Sequence, residues 1–130
     1  MGNLVGIVLV SHSGTLAAGV HELLAQLGGD EVVVALAAGD QVGGLGTSVH
    51  RVRAALLDAD QGSGVVVIPD LGSAVLTVQA LLDEEPMGHV RLADAPFVEG
   101  AVAAAVAAAS GANLETVVAA AEGARNVRKF

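Results

Sequence analysis

The sequence predicts an α/β fold, a three-layer sandwich around a mostly parallel four-stranded sheet. Three runs, "LVGIVLV" (4–10), "VVVALA" (32–37) and "GVVVIPD" (64–70), are almost continuously apolar, as strands covered on both faces are. Helical segments with apolar residues at 3.6-residue spacing alternate with them. The resulting order, βαβαβαβαα, implies right-handed crossovers between parallel strands.

Taken in order, the first strand covers 4–10 and the first helix 15–27. In that helix Leu16, Val20, Leu23, Leu24 and Leu27 recur at helical spacing, and Gly28-Gly29 supplies the stop. After the second strand a helix begins near Thr47 or Ser48 and carries Val49, Val52 and Leu56 on one face. After the third strand another starts near Ser73, runs through Val75, Val78, Leu81 and Leu82, and ends before Pro86. "HVRLAD" (89–94) is shorter and more polar, which suits an edge strand. Two helices follow, about 99–109 and 113–124, split by "SGAN", with Asn113 and Glu115 opening the second. No Pro- or Ser-rich linker, repeat or low-complexity tract interrupts the pattern, so one domain over 1–130 is expected.

Composition narrows the partners. Hydrophobic residues make up 53%, but much of that is alanine, which predicts thin, closely packed layers with few bulky anchors. The formal charge is −8, and three of the six basic residues, Arg125, Arg128 and Lys129, fall in the last six positions. Nucleic acid is not an expected partner, because phosphate neutralisation needs a dense basic patch and base stacking needs aromatic rings. The absence of cysteine excludes disulfides, thiolate catalysis and cysteine-ligated metals, and fits a cytoplasmic location. Leu4–Val10 is too short for a signal core, and "AVAAAVAAA" (101–109) falls far below the roughly 20 residues that span a bilayer, so no membrane insertion is expected.

Chemistry concentrates in the loops after the first three strands: "SHSG", "GDQVGGLGTS" and "DLGSA". In an open parallel sheet, reactive groups collect beyond the carboxyl ends of the strands, where strand order reverses. A 2-1-3-4 order puts that switch point between strands 1 and 3, with His12 and Asp70 on either side of one crevice. A carboxylate on Nδ1 would fix the imidazole's orientation and tautomer and leave Nε2 as a nucleophile. Equally, His12 can be a satisfied loop histidine and Asp70 a helix N-cap. "GGLGTS" (43–48) offers backbone N–H groups and the Thr47 and Ser48 hydroxyls to a phosphoryl group, or it is a flexible loop ending in an ordinary cap. It is not a Walker A loop, since no lysine follows the glycines, and a nucleotide cofactor bound to this chain is disfavoured. Of the other histidines, His21 and His50 are read as surface residues and His89 as structural or exposed. None has the i, i+4 partner of a helical metal site, and no metal is expected. Asp94 and Glu99, in "DAPFVEGA" (94–101), sit near a helix N-terminus, where acids are favourable; a rim contact or a subunit interface is the other reading.

"VSHS", "GGLGTS", "DLGSA" and "DAPFVEGA", in this order, resemble the phosphotransfer subunits of phosphoenolpyruvate-dependent dihydroxyacetone kinases, which are similar to the IIA domains of mannose-family sugar phosphotransferase systems. The resemblance covers nearly the whole chain and implies a 2-1-3-4 sheet in a homodimer. It implies that His12 is the phosphorylated nucleophile, that Asp70 orients it, and that Thr47, Ser48 and Ser73 are phosphoryl ligands. Gly46 and Ser13 join them as candidate phosphoryl-binding positions, although Ser11 and Ser13 can equally serve only to shape the turn. The implied activity is a phosphotransferase relay working through phosphohistidine. The histidine-containing phosphocarrier protein HPr donates phosphate, and ADP on the kinase's nucleotide-binding subunit accepts it. The resulting ATP phosphorylates dihydroxyacetone on the substrate-binding subunit, so ADP and ATP reside on a partner. The alternatives are a IIA component of a mannose-type sugar transporter and a non-catalytic flavodoxin-like regulatory module.

Overall fold

The computed structural model describes residues 3–27, 30–39 and 47–130. Four parallel strands, β1 (Gly6–Ser11), β2 (Val34–Ala38), β3 (Val65–Pro69) and β4 (Val90–Leu92), form one sheet in the order β2-β1-β3-β4. Between and after them run α1 (Gly14–Leu27), α2 (Val49–Ala59), α3 (Gly72–Glu84), α4 (Phe97–Ala109) and α5 (Leu114–Gly123), closed by a short 3-10 turn at Ala124–Asn126. The α/β class and the expected strand order both hold.

Side-chain alternation along the two central strands splits the interior into two cores. Ile7, Leu9, Val66 and Ile68 face α1, α4 and α5, meeting Val20, Leu24, Ala101, Ala104, Ala105, Ala108, Val117 and Ala121. Val8, Val10, Val65 and Val67 face α2 and α3, meeting Val52, Ala55, Leu56, Ala74, Val78 and Leu81. Alanines line much of the first core, so the helices lie close. A Cβ on Gly100 of α4 would stand 2.8 Å from the Cβ of Ala95 and 3.2 Å from the Ala121 carbonyl of α5. At Gly6 a Cβ would sit 2.0 Å from the Ala59 carbonyl, so only glycine lets the end of α2 approach β1.

Three sequence expectations change. Of the α1 stripe only Val20 and Leu24 are buried, together with Ala17, while Leu16, Leu23 and Leu27 are exposed, because α1 covers one margin of the sheet. The second strand is not covered on both faces: β2 is an edge strand and its Leu36 is 37% exposed. The fourth helix starts at Phe97 rather than 99, with Pro96 at the N-cap position (φ −64°), the φ a proline ring imposes. Gly28-Gly29, read as the stop of the first helix, lies outside the described residues.

Candidate functional site

The site forms where β1 and β3 end side by side. Their register pairs Val10 with Pro69, and the Asp70 N–H donates to the Val10 carbonyl at 2.9 Å, so the next residues of both strands meet. The chain leaves β1 through Ser11 and His12 into α1, and leaves β3 through Asp70 and Leu71 into α3. Each helix therefore starts at the same edge of the sheet.

Asp70 is the hub. Its Oδ1 accepts the His12 ring Nδ1–H at 2.9 Å and the Leu71 N–H at 2.7 Å. Its Oδ2 accepts the His12 backbone N–H at 3.0 Å and the Ser11 hydroxyl at 2.9 Å. The Asp70 side chain is only 6% exposed, against 23% for His12. Burial pushes the Asp70 carboxyl up, but the bonds from the His12 N–H, the His12 ring, Ser11 and the Leu71 N–H outweigh it and hold it below its ordinary value. An ionised carboxylate only accepts, so in the neutral ring the proton sits on the Nδ1 facing it and the lone pair on Nε2. The Ser73 hydroxyl, in the first turn of α3, contacts that Nε2.

The other expected positions fall around this hub. Ser13 caps α1, its Oγ accepting the Leu16 N–H at 3.2 Å, and its own N–H donates to Ser11 Oγ at 3.0 Å. Ser48 is buried and caps α2, its Oγ accepting the Arg51 N–H at 3.4 Å. Thr47 bridges Gly39 beyond the end of β2, and its buried Oγ1 has no hydrogen-bond partner among the described residues. Gly46 lies outside the described residues, as do 40–45 of the same loop. Asp70 is not the N-cap of the third helix: Leu71 holds that position without a side-chain cap, because the Asp70 carboxylate turns back to β1.

Away from the hub, His50 is exposed, and so is His89, with Nε2 3.4 Å from Asp60 Oδ2. His21 is half-buried rather than solvated, because it helps wall a cavity of about 150 Å³ with Leu24, Asp30 and Val34. Glu99 does lie in the first turn of α4. Its carboxyl is held below the ordinary value by its own backbone N–H and by Lys129 at 3.3 Å. Asp94 sits before that helix, where Arg125 binds its carboxylate at 3.0 Å and Glu122 Oε2 accepts its N–H at 2.9 Å. Sequence reasoning missed this clamp from the basic tail. It also missed the Leu71 N–H, a backbone donor that leaves no trace in residue type. Among the described residues, no cluster of acids and histidines could hold a metal, and no helix is long and apolar enough to cross a membrane.

A family model described as the phosphotransferase-system fructose IIA component, EIIA-man, matches residues 6–118, a span that includes His12, Asp70 and the helices α1 and α3 that follow them. The chain belongs to the EIIA-man family. Similar chains include the phosphoryl donor subunit DhaM of an Escherichia coli dihydroxyacetone kinase that depends on phosphoenolpyruvate, 41% identical over 88% of this chain and 26% of the relative. The DhaM subunit of Listeria innocua dihydroxyacetone kinase 2 is 34% identical over 79% of this chain and 85% of its own length. A Lactococcus lactis DhaM is 30% identical over 86% and 89%. The chain thus spans about a quarter of the E. coli relative and most of the two others. A solved crystal structure of a protein of unknown function, EF1359, superposes with a TM-score of 0.83 at 31% identity, covering 98% of this chain and 97% of that one.

Proposed function

We propose that this chain is a phosphoryl carrier of a phosphoenolpyruvate-dependent dihydroxyacetone kinase, working through a phosphohistidine at His12. The observation that carries the reading is the His12 ring, held at Nδ1 by a buried, ionised Asp70 with Nε2 turned away from it. The Nε2 lone pair attacks the phosphorus of the phosphohistidine on HPr. The donor's P–N bond breaks, its electron pair stays on the donor ring, and His12 becomes a phosphoimidazolium paired with Asp70. The onward step is the same displacement by a terminal oxygen of ADP held on the nucleotide-binding subunit, so ATP forms there and phosphorylates dihydroxyacetone on the substrate-binding subunit. This chain itself holds no nucleotide.

Phosphoryl transfer of this kind depends mostly on positioning and charge stabilisation. The Ser73 hydroxyl occupies the nucleophile's lone pair, so it rotates off Nε2 before the P–N bond forms and is then free to donate to a phosphoryl oxygen. The N-termini of α1 and α3, both at this edge, favour the added negative charge. The unpartnered Thr47 hydroxyl is a further phosphoryl ligand in this reading. Ser13 and Ser48 act through the helix starts they cap. The reading includes a cytoplasmic homodimer.

Phosphoenolpyruvate with enzyme I and HPr is expected to label the wild type once, with an acid-labile, alkali-stable phosphate, and the His12→Ala variant not at all. Full labelling of that variant would remove His12, and an unlabelled wild type with competent donors would remove the function. The fructose IIA description of the matching family model favours a second reading, a IIA component feeding a sugar transporter. Reconstitution discriminates: discharge by the kinase's nucleotide-binding subunit and ADP supports the first reading, and discharge only by permease subunits supports the second. Sedimentation at micromolar concentration tests the dimer.

A further inference from the structure

Ser11 is one of two buried polar residues among those described, and it is fully inaccessible. A buried hydroxyl is retained at a cost unless it is hydrogen-bonded, so its partners say what it does. Ser11 Oγ accepts the Ser13 N–H at 3.0 Å and lies 2.9 Å from Asp70 Oδ2 and 3.1 Å from the Ser13 carbonyl. It has one proton to give. The ionised carboxylate is the nearer and stronger acceptor.

We propose that Ser11 is a positioning residue for phosphoryl transfer: its hydroxyl, oriented by the Ser13 N–H, donates to Asp70 Oδ2 and keeps the shared proton of the His12–Asp70 pair on His12 Nδ1. This inference rests on the phosphoryl-carrier reading. The chemical reason lies in the leaving group. With the proton on Nδ1, a phosphorylated His12 leaves as neutral imidazole when its P–N bond breaks. With the proton moved to Asp70, the departing ring would have to carry the electron pair as imidazolate, a far poorer leaving group. Whatever lowers the carboxylate's proton affinity therefore favours onward transfer, and a donor on the oxygen opposite the imidazole does so without touching the ring. The other three donors to Asp70, the His12 N–H, the Leu71 N–H and the ring itself, belong to residues fixed by the two strand ends or to the nucleophile. Ser11 is the one additional side chain in the set. Among the described charged groups, His12 contacts Asp70, and Asp94 shares with it a cleft of about 440 Å³, its charge paired with Arg125.

The test compares wild type, Ser11→Ala and Ser11→Thr, each verified as folded by circular dichroism. In the unphosphorylated proteins, NMR follows the Asp70 carboxyl carbon against pH, a readout independent of phosphate. In Ser11→Ala the Asp70 midpoint is expected to rise by about one pH unit, the size of one hydrogen bond to a charged group. Discharge of phosphorylated Ser11→Ala to its acceptor is expected to slow about tenfold at neutral pH. Its acid limb should move with the carboxyl midpoint. Ser11→Thr, which keeps the hydroxyl, should restore both. An Asp70 midpoint unchanged in Ser11→Ala overturns the proposal, and so does a rate loss with an unmoved acid limb, which would mean that Ser11 only shapes the turn. Failure of the wild type to be labelled at His12 would instead overturn the carrier reading.

Discussion

Asp70 and Asp94 both follow the ends of adjacent parallel strands, and each has a nitrogen donor against its carboxylate, but their surroundings differ sharply. Asp70 is 6% exposed and accepts four hydrogen bonds, from a ring, a hydroxyl and two backbone N–H groups. Asp94 is 89% exposed and meets one half-exposed guanidinium at 3.0 Å. In water the second arrangement gains little, because solvent screens the pair and two mobile side chains must be held. In the buried crevice each bond to Asp70 acts in a lower dielectric and fixes a direction as well as a charge. The difference comes from topology: Asp70 faces β1 across the point where strand order reverses, and Asp94 ends an edge strand.

The comparison is tested first at its stronger member. Asp70→Ala should reduce transfer to His12 by about 100-fold or more, since it removes the group that fixes the ring tautomer. The fold should survive with a loss of about 1–3 kcal/mol, because Ser11 and the His12 N–H lose their acceptor. Single-turnover labelling and thermal melts measure the two effects, and near-wild-type transfer would reduce Asp70 to a structural acid.

Acid gives the next effect. The Asp70 carboxyl lies below its ordinary value in the folded chain, so its contribution is fully present above the unfolded value, about pH 4, and is lost as pH falls through the folded one. The melting-temperature gap between wild type and Asp70→Ala should hold from neutral pH to about pH 4 and close below it. A gap already closed at pH 6 would contradict the assignment.

Smaller effects belong to the rim. Arg125→Ala frees the Asp94 carboxylate and should cost at most about 1 kcal/mol, with transfer within about twofold of wild type. Asp94→Asn, which keeps the backbone N–H to Glu122, should change stability by about 0.5 kcal/mol or less in denaturant titration. A large transfer defect in either variant would make the two aspartates functionally alike and erase the contrast.

Much of this was legible in the chain. Continuous apolar runs marked β1 and β3, because strands buried on both faces need no polar alternation, and Asn113 marked the start of α5 by the cap it makes to the Thr116 N–H at 2.9 Å. His12 and Asp70 were legible as a pair because each directly follows a strand. The exposure of Leu16, Leu23 and Leu36 was not, since apolar spacing does not say which margin of a sheet lacks a neighbour. Nor was the rim clamp, where Arg125 reaches Asp94 across the ends of two elements.

By itself, then, the sequence determined the alternation of elements and the residues that could do chemistry, because periodicity and residue type are local properties. Only the tertiary structure decided which of those residues act together. Parallel register brings Asp70 beside Ser11 and His12, although 58 positions separate it from His12. Burial then turns an aspartate, a histidine and a serine into a hydrogen-bonded set with one defined tautomer, and the same register leaves Asp94 in water.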